Sequence, residues 1–215
     1  MSIELFGHPF ASYTWKALIP LYETNTPFEF RDISGDKYPQ NEAEFLTFWP
    51  VGKFPLLVDD GEPIMESSII VEHVAPDLVP ADREAAREVR MLDRIFDNQV
   101  MTPMQAIVAE HLPFITPTPD EGRIARAKSA LDKVYPWLDA RLAGRQWAAG
   151  DEFTLADCAG APALFYADWA HPIPDEFATL KAYRARALAR PSVARVVDEA
   201  RPYRHLFPLG APDRD

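Results

Sequence analysis

The sequence predicts an α/β unit of about eighty residues followed by an all-helical unit. Three observations carry this prediction. Up to residue 75, short apolar runs with strand character alternate with helical stripes. Residues 76–82, PDLVPAD, then break the pattern with two prolines, as a linker does. Beyond residue 82 the periodicity is almost entirely that of helices.

In the first unit, residues 3–6 (IELF) read as a strand that Gly7-His8-Pro9 ends. From Ser12, the sequence SYTWKALIPLYE sets Trp15, Leu18, Ile19 and Tyr22 on one helical stripe, and Pro20 should end or kink that helix. Residues 27–33 alternate like a second strand, and 41–48 suit a short helix. Residues 51–75 organise the remainder. Pro55 belongs at a strand start because it cannot donate to a ladder. Leu56-Leu57-Val58 and Pro63 to Met65 flank Asp59-Asp60-Gly61, a hairpin signal. Ser67 suits an N-cap, ahead of a helix with Ile69, Ile70, His73 and Val74 on one face. The order strand, helix, strand, helix, strand, strand, helix is that of a thioredoxin-like α/β sandwich.

In the second unit, residues 82–112 predict one long amphipathic helix bent at Pro103. Residues 114–119 form a break, 120–142 a helix punctuated at Pro136, and 144–150 a loop. Further helices are expected over 153–169, 175–189 and 192–201. Thr154-Leu155-Ala156-Asp157 has the form of a capping box, whose role is folding. No internal repeat is visible.

Composition narrows the function. The 215 residues are 47% apolar, ordinary for a globular chain, with a formal charge of -11 and a pI near 4.9. Such a surface repels nucleic acid and anionic membrane, so neither is expected as a partner. The single cysteine, Cys158, excludes an internal disulfide and fits a reducing compartment. The start MSIELFGHPF is too short in its apolar run for a signal peptide, and no run approaches the ~18 residues of a membrane span. A soluble cytoplasmic protein is expected. The five histidines share no ligand spacing, so no metal is expected, and neither a phosphate loop nor a dinucleotide glycine pattern occurs.

The run from Gly52-Lys53-Phe54-Pro55 through Asp60-Gly61 to Glu66-Ser67 and Ile70 resembles the glutathione-binding half of the soluble glutathione transferases. The capping box at Thr154, preceded by Gly150-Asp151, is similar to that of the same family's helical domain. The resemblance implies the glutathione transferase fold: a glutathione-binding domain over residues 1–76 and a helical domain over 83–215 that supplies an apolar substrate site. It further implies that Pro55 is cis, that the backbone of Phe54 pairs with the cysteinyl part of glutathione, and that Glu66 and Ser67 hold the γ-glutamyl group. Homodimers are the rule in this family. Lys53 suits the glycyl carboxylate, since an acidic protein needs local positive charge to hold an anion, and Gln40 and Lys37 can assist from the preceding loop.

A free cysteinyl thiol titrates near 8.5, so a transferase must raise the thiolate fraction beside its electrophile. A hydroxyl donor at a helix N-terminus stabilises the anion in two ways. Residues 8–14 must supply it, and here the chain departs from the family. The position that often carries serine or cysteine is Ala11. Ser12 follows, as in related bacterial chains with a Ser-Tyr pair, and is the first candidate; Tyr13 is the second. His8 lies in the same segment. For the electrophile, Phe10 from the first unit and Asn98, Met101, Met104, Gln105, Val108 and His111 from the long helix offer an apolar surface. Cys158, beside small apolar residues, reads as a buried hydrophobe. A reductase acting on disulfides or dehydroascorbate would need a cysteine within 8–14, and none is there. A non-catalytic relative that binds glutathione or a protein is the alternative that Ala11 leaves open.

Overall fold

The computed structural model of the chain describes residues 2–35 and 37–215. The first unit is β1 (Ile3–Gly7), α1 (Ser12–Glu23), β2 (Glu29–Asp32), α2 (Pro39–Phe48), β3 (Leu56–Asp59), β4 (Glu62–Met65) and α3 (Ser67–Val74). The sheet order is β2-β1-β3-β4, with β1 parallel to β2 and antiparallel to β3. Alternation along the strands divides the apolar side chains between two faces. Leu5 and Leu57, paired in register, face α1 and α3; Phe6, Leu56 and Val58 face α2 through Phe45. Asp60 and Gly61 both hold positive φ, the geometry of a tight two-residue hairpin. Pro63 is tolerated because β4 is an edge strand. The Phe54–Pro55 peptide is cis and leads directly into β3.

Several local expectations are corrected. α1 runs through Pro20 to Glu23. The ring only deprives the Lys16 carbonyl of a donor, one turn before the helix ends at a Thr24 cap and an Asn25 with positive φ. Ser67 is the first residue of α3 rather than its cap. Glu66 takes the cap position at φ 68°, ψ 116°, a strained conformation for a residue with a side chain. Ile69 is 54% exposed, so the buried face of α3 is Ser67, Ile70 and Val71.

The second unit is α4 (Arg83–Ile95), α5 (Thr102–Glu110), α6 (Glu121–Leu142), α7 (Leu155–Ala170), α8 (Ala178–Leu188) and α9 (Pro191–Ala200). The expected single helix over 82–112 is interrupted by a π segment, Phe96–Met101, between α4 and α5. Pro103 has no amide hydrogen and its ring crowds the carbonyl one turn back, so the helix widens just before it. The Thr102 amide and hydroxyl both donate to the Asp97 carbonyl, which closes the wide turn. Asp82 and Asp120 cap α4 and α6 with their carboxylates. α6 passes through Pro136, and α8 begins three residues later than expected.

α7 is buried along its whole length and holds the units together. Trp15 of α1 packs on Phe165 and Tyr166 of α7 with ring centroids 4.8 and 4.9 Å apart, and Phe10 meets Tyr166 edge-on at 5.3 Å. Gly160 lets α7 approach closely, because a Cβ there would lie 2.7 Å from the Tyr183 hydroxyl and 3.1 Å from Phe96. The capping box forms: Asp157 accepts from Thr154 N at 2.9 Å, and also from Ala148 N and the Tyr183 hydroxyl. One apolar core therefore runs from Leu5 and Trp15 into the helical unit.

Candidate active site

Two cavities meet where α1 begins. The smaller, about 270 Å³, is lined from the first unit by Tyr13, Trp49, Lys53, Phe54, Pro55, Glu66 and Ser67. Arg94, Asp97 and Asn98 close it from the helical unit. The larger, about 1000 Å³, is mainly apolar. Phe10, Ala11 and Ser12 face it from one side, and Met104, Gln105 and Val108 from α5. Phe114 and Ile115 stand at its rim, 82% and 55% exposed, and residues 206–208 form a third wall. Tyr13, Lys53 and Phe54 belong to both cavities and mark their junction.

The smaller cavity carries both signs of charge. Lys53 and Arg94 bring cations; Glu66 and Asp97 bring carboxylates. Such a lining suits a ligand with carboxylates at its ends and an ammonium group. Ser67 is 7% exposed, and among the described residues no protein group bonds to its hydroxyl, so it is free to meet a ligand. Arg94 is held by Asp93 at 2.7 Å and Asp97 at 2.6 Å and also touches the Ser68 hydroxyl. Behind them, Lys16 of α1 is wholly buried, with its ammonium 2.6 Å from Asp93, 2.7 Å from Asp97 and 2.8 Å from Ser68. Burial pushes the Asp97 carboxyl up; Lys16 opposes this, while the Asp93 charge adds to it. This cluster ties α1 and α3 to the π turn and so joins the two walls of the cavity.

Beside the junction, on the side of the larger cavity, Ala11 occupies the cap of α1 and its extended backbone leaves the first amides of the helix unpaired. Ser12 is 6% exposed, and its oxygen accepts from the Gln105 side chain at 3.4 Å, which leaves the hydroxyl proton for another acceptor. Burial, and after it the negative charge of Asp97, push the Tyr13 phenol up to about 12, so it stays protonated near neutrality. Its O–H can donate but cannot act as a base.

The expected glutathione-site residues Lys53, Phe54, Pro55, Glu66 and Ser67 thus line one cavity. Phe10, Met104, Gln105 and Val108 line the other. Gln40 is exposed on the first turn of α2 and lines neither; Lys37 is exposed with its ammonium over the Tyr38 ring. Met101 is fully buried in the core, because the wide turn rotates it away from the larger cavity. Asn98 faces the smaller cavity instead of the larger. His111 lines neither and pairs through Nδ1 with the Ile107 carbonyl. Cys158 is fully buried on α7, where burial pushes its thiol well up. Sequence reasoning missed Trp49, Arg94 and Asp97. On a helix as rich in charge as that predicted from residue 82, the latter two read as solvent-facing residues and give no signal. Among the described residues, no group of three or more His, Cys, Asp or Glu could hold a metal ion. Among the described residues, no helix is long and apolar enough to cross a membrane.

Comparison with known proteins bears on the family and the fold. The family model of the glutathione S-transferase N-terminal domain matches residues 1–76, and that of the C-terminal domain matches 102–191. Glutathione S-transferase 3 of Zea mays is 30% identical over 175 residues, covering 75% of this chain and 78% of its own. Glutathione S-transferase F6 of Arabidopsis thaliana is 27% identical and covers 91% of this chain and 99% of its own. The solved structure of a glutathione S-transferase-I bound with lactoylglutathione superposes with a TM-score of 0.78 at 25% identity, over 92% of this chain and 99% of that one.

Proposed function

This chain belongs to the glutathione S-transferase family, and we propose that it joins the thiolate of bound glutathione to apolar electrophiles. The observation that carries the reading is the junction of a small, doubly charged cavity with a large apolar one at the start of α1. Residues 1–76 bind glutathione, and the helical unit supplies most of the electrophile site. Ser67 and Glu66 take the γ-glutamyl end, the Phe54 backbone takes the cysteinyl unit, and Lys53 takes the glycyl carboxylate. Arg94 and Asp97 add a cation and an anion from the helical wall.

The thiol then lies at the α1 N-terminus. Ser12 donates its hydroxyl proton to the sulfur while Gln105 occupies the serine oxygen, and the unpaired amides of the first turn add their positive potential. Lowering a thiol by about two pH units corresponds to ~2.7 kcal/mol, within reach of one hydrogen bond and a helix terminus. The thiol proton leaves to solvent; the sulfur forms its bond to the electrophilic carbon as the leaving group or π bond takes the electron pair. No metal is needed for this step. The Ala11-Ser12-Tyr13 start makes the chain a variant of bacterial type.

The chain works as a homodimer in the cytoplasm. Val51 and Ile69 of the first unit and Met91 of α4 are 60%, 54% and 38% exposed, apolar surface that a second copy would cover. A light-scattering mass equal to the 24.3 kDa chain at micromolar concentration would contradict the dimer. The activity is tested by steady-state turnover of a chlorinated nitroaromatic with glutathione. Wild type should be active, and Ser12→Ala should lose most of its turnover near neutral pH. A wild type that binds glutathione and conjugates nothing would mark a non-catalytic relative.

A further inference from the structure

His8 stands in the loop between β1 and α1 and lines the large apolar cavity. Its Nδ1 accepts a hydrogen bond from the Phe10 amide at 3.1 Å. An acceptor nitrogen carries no proton, so in the neutral ring the proton resides on Nε2. Among the described residues no group takes that proton; the ring merely meets Tyr203 edge-on at 5.9 Å. Burial pushes the imidazole below its ordinary value, with the Asp32 charge acting against it, so the ring is neutral at physiological pH.

Two other polar groups of this cavity are engaged. The Tyr166 hydroxyl donates to the Phe10 carbonyl at 3.1 Å, and the Gln105 amide is turned to Ser12. Tyr13 and Lys53 stand at the wall shared with the charged cavity. His8 is half-buried at the wall of this chamber, so an unspent N–H there discriminates by hydrogen bonding: a ligand that covers the donor without pairing it binds and reacts less well.

We propose that His8 is an electrophile-recognition residue, whose Nε2–H donates to an oxygen acceptor conjugated to the carbon under attack. The preferred substrates are then α,β-unsaturated carbonyl compounds. In the addition, the thiolate sulfur bonds to the β-carbon, the carbon–carbon π bond breaks, and its electrons move onto the carbonyl oxygen. That enolate oxygen accepts from Nε2–H, and the α-carbon later takes a proton from solvent. No proton leaves His8 in the balance. Because charge develops on the oxygen only in the transition state, the donor acts on kcat more than on KM.

The inference rests on the transferase reading, and one experiment separates the two. His8→Asn retains an acceptor for the Phe10 amide, as an Asx turn does, but has no atom at the Nε2 position. His8→Gln places an amide N–H near the Nε2 position and lacks the acceptor. Steady-state kinetics with glutathione are measured for an apolar enone and for benzyl chloride, which has no oxygen acceptor. For His8→Asn the ratio of kcat/KM for enone to that for benzyl chloride should fall about tenfold, with the loss in kcat; His8→Gln should recover most of it. A ratio unchanged in His8→Asn, or one that His8→Gln fails to restore, overturns the role of His8 while leaving the transferase reading intact. A wild type inactive on both electrophiles overturns the transferase reading itself, and the His8 role with it.

Discussion

The Gln105 amide nitrogen lies 3.4 Å from Ser12 Oγ and spans the cleft between α5 and α1. The bond is long, and Gln105 is otherwise exposed, so its strength is modest. Its consequence is directional. With its oxygen accepting from Gln105, the serine hydroxyl keeps its proton for an acceptor other than Gln105. Gln105→Leu should therefore lower kcat/KM by about three- to tenfold and leave glutathione affinity unaltered. Steady-state kinetics beside calorimetry checks this; equal losses in affinity and turnover would assign Gln105 to ligand binding.

Ser67 gives the clearest test of the glutathione site. The residue lines the charged cavity, and among the described residues its hydroxyl has no protein partner. Calorimetry on Ser67→Ala should show glutathione bound more weakly by about 1–3 kcal/mol, the effect of leaving a charged group one hydrogen bond short. Unaltered affinity would remove Ser67 from the site.

Lys16 is the most exposed of these assignments to disproof by stability measurements. Its ammonium is wholly buried between two carboxylates. Lys16→Met leaves Asp93 and Asp97 facing each other with Arg94 alone to neutralise them, and should cost about 3–5 kcal/mol in urea unfolding. A loss below about 1 kcal/mol would show that water replaces the lysine at little expense.

Acid stability depends on Glu23, at the end of α1. Arg190 at the start of α9 grips it with two bonds of 2.7 and 2.6 Å, and the Ser192 hydroxyl also donates to it. Burial raises this carboxyl, but the hydrogen bonds from Arg190 and Ser192 outweigh it and hold it below the usual range. A carboxyl lowered by folding stabilises the native state above its unfolded value, ~4.3, and that contribution disappears as pH falls through the folded value. Glu23→Gln should thus be about 1–3 kcal/mol less stable than wild type at pH 7, and the gap should close as pH falls toward about 3. A gap of equal size across that range would mean that packing, not charge, is what the variant loses.

How much of this was readable in the sequence follows from the range of each signal. The hairpin at Asp59-Asp60-Gly61 and the capping box from Thr154 to Asp157 are local, determined by a few consecutive residues. The charged cavity was half readable: Lys53 to Ser67 lie within fifteen residues of one another, whereas Arg94 and Asp97 arrive from a helix that a linker separates from them. On a periodic helix such charges read as solvent-facing. The π turn escaped as well, since Pro103 signals a disturbance but not whether the helix bends or widens. That widening is what buries Met101 and brings Asn98 to the charged cavity. Ser67 illustrates the opposite failure. Its residue type suits a cap, yet strain at Glu66 shifts the helix start by one and releases the hydroxyl for a ligand.

Ser12, not Tyr13, is the hydroxyl proposed to activate the thiol. Tyr13 lies at the cavity junction as well, but its phenol is held protonated up to about 12, and its position at the shared wall suits contact with both ligands. Ser12, at the first position of α1, has its oxygen already occupied by Gln105 and its proton free. The most direct measurement is the pKa of the enzyme-bound glutathione thiol, read from thiolate ultraviolet absorbance as a function of pH in wild type, Ser12→Ala and Tyr13→Phe. The value should rise by about one unit or more in Ser12→Ala, which corresponds to roughly 1.4 kcal/mol, and stay unaltered in Tyr13→Phe. A value that rises in Tyr13→Phe and stays put in Ser12→Ala would contradict the role of Ser12.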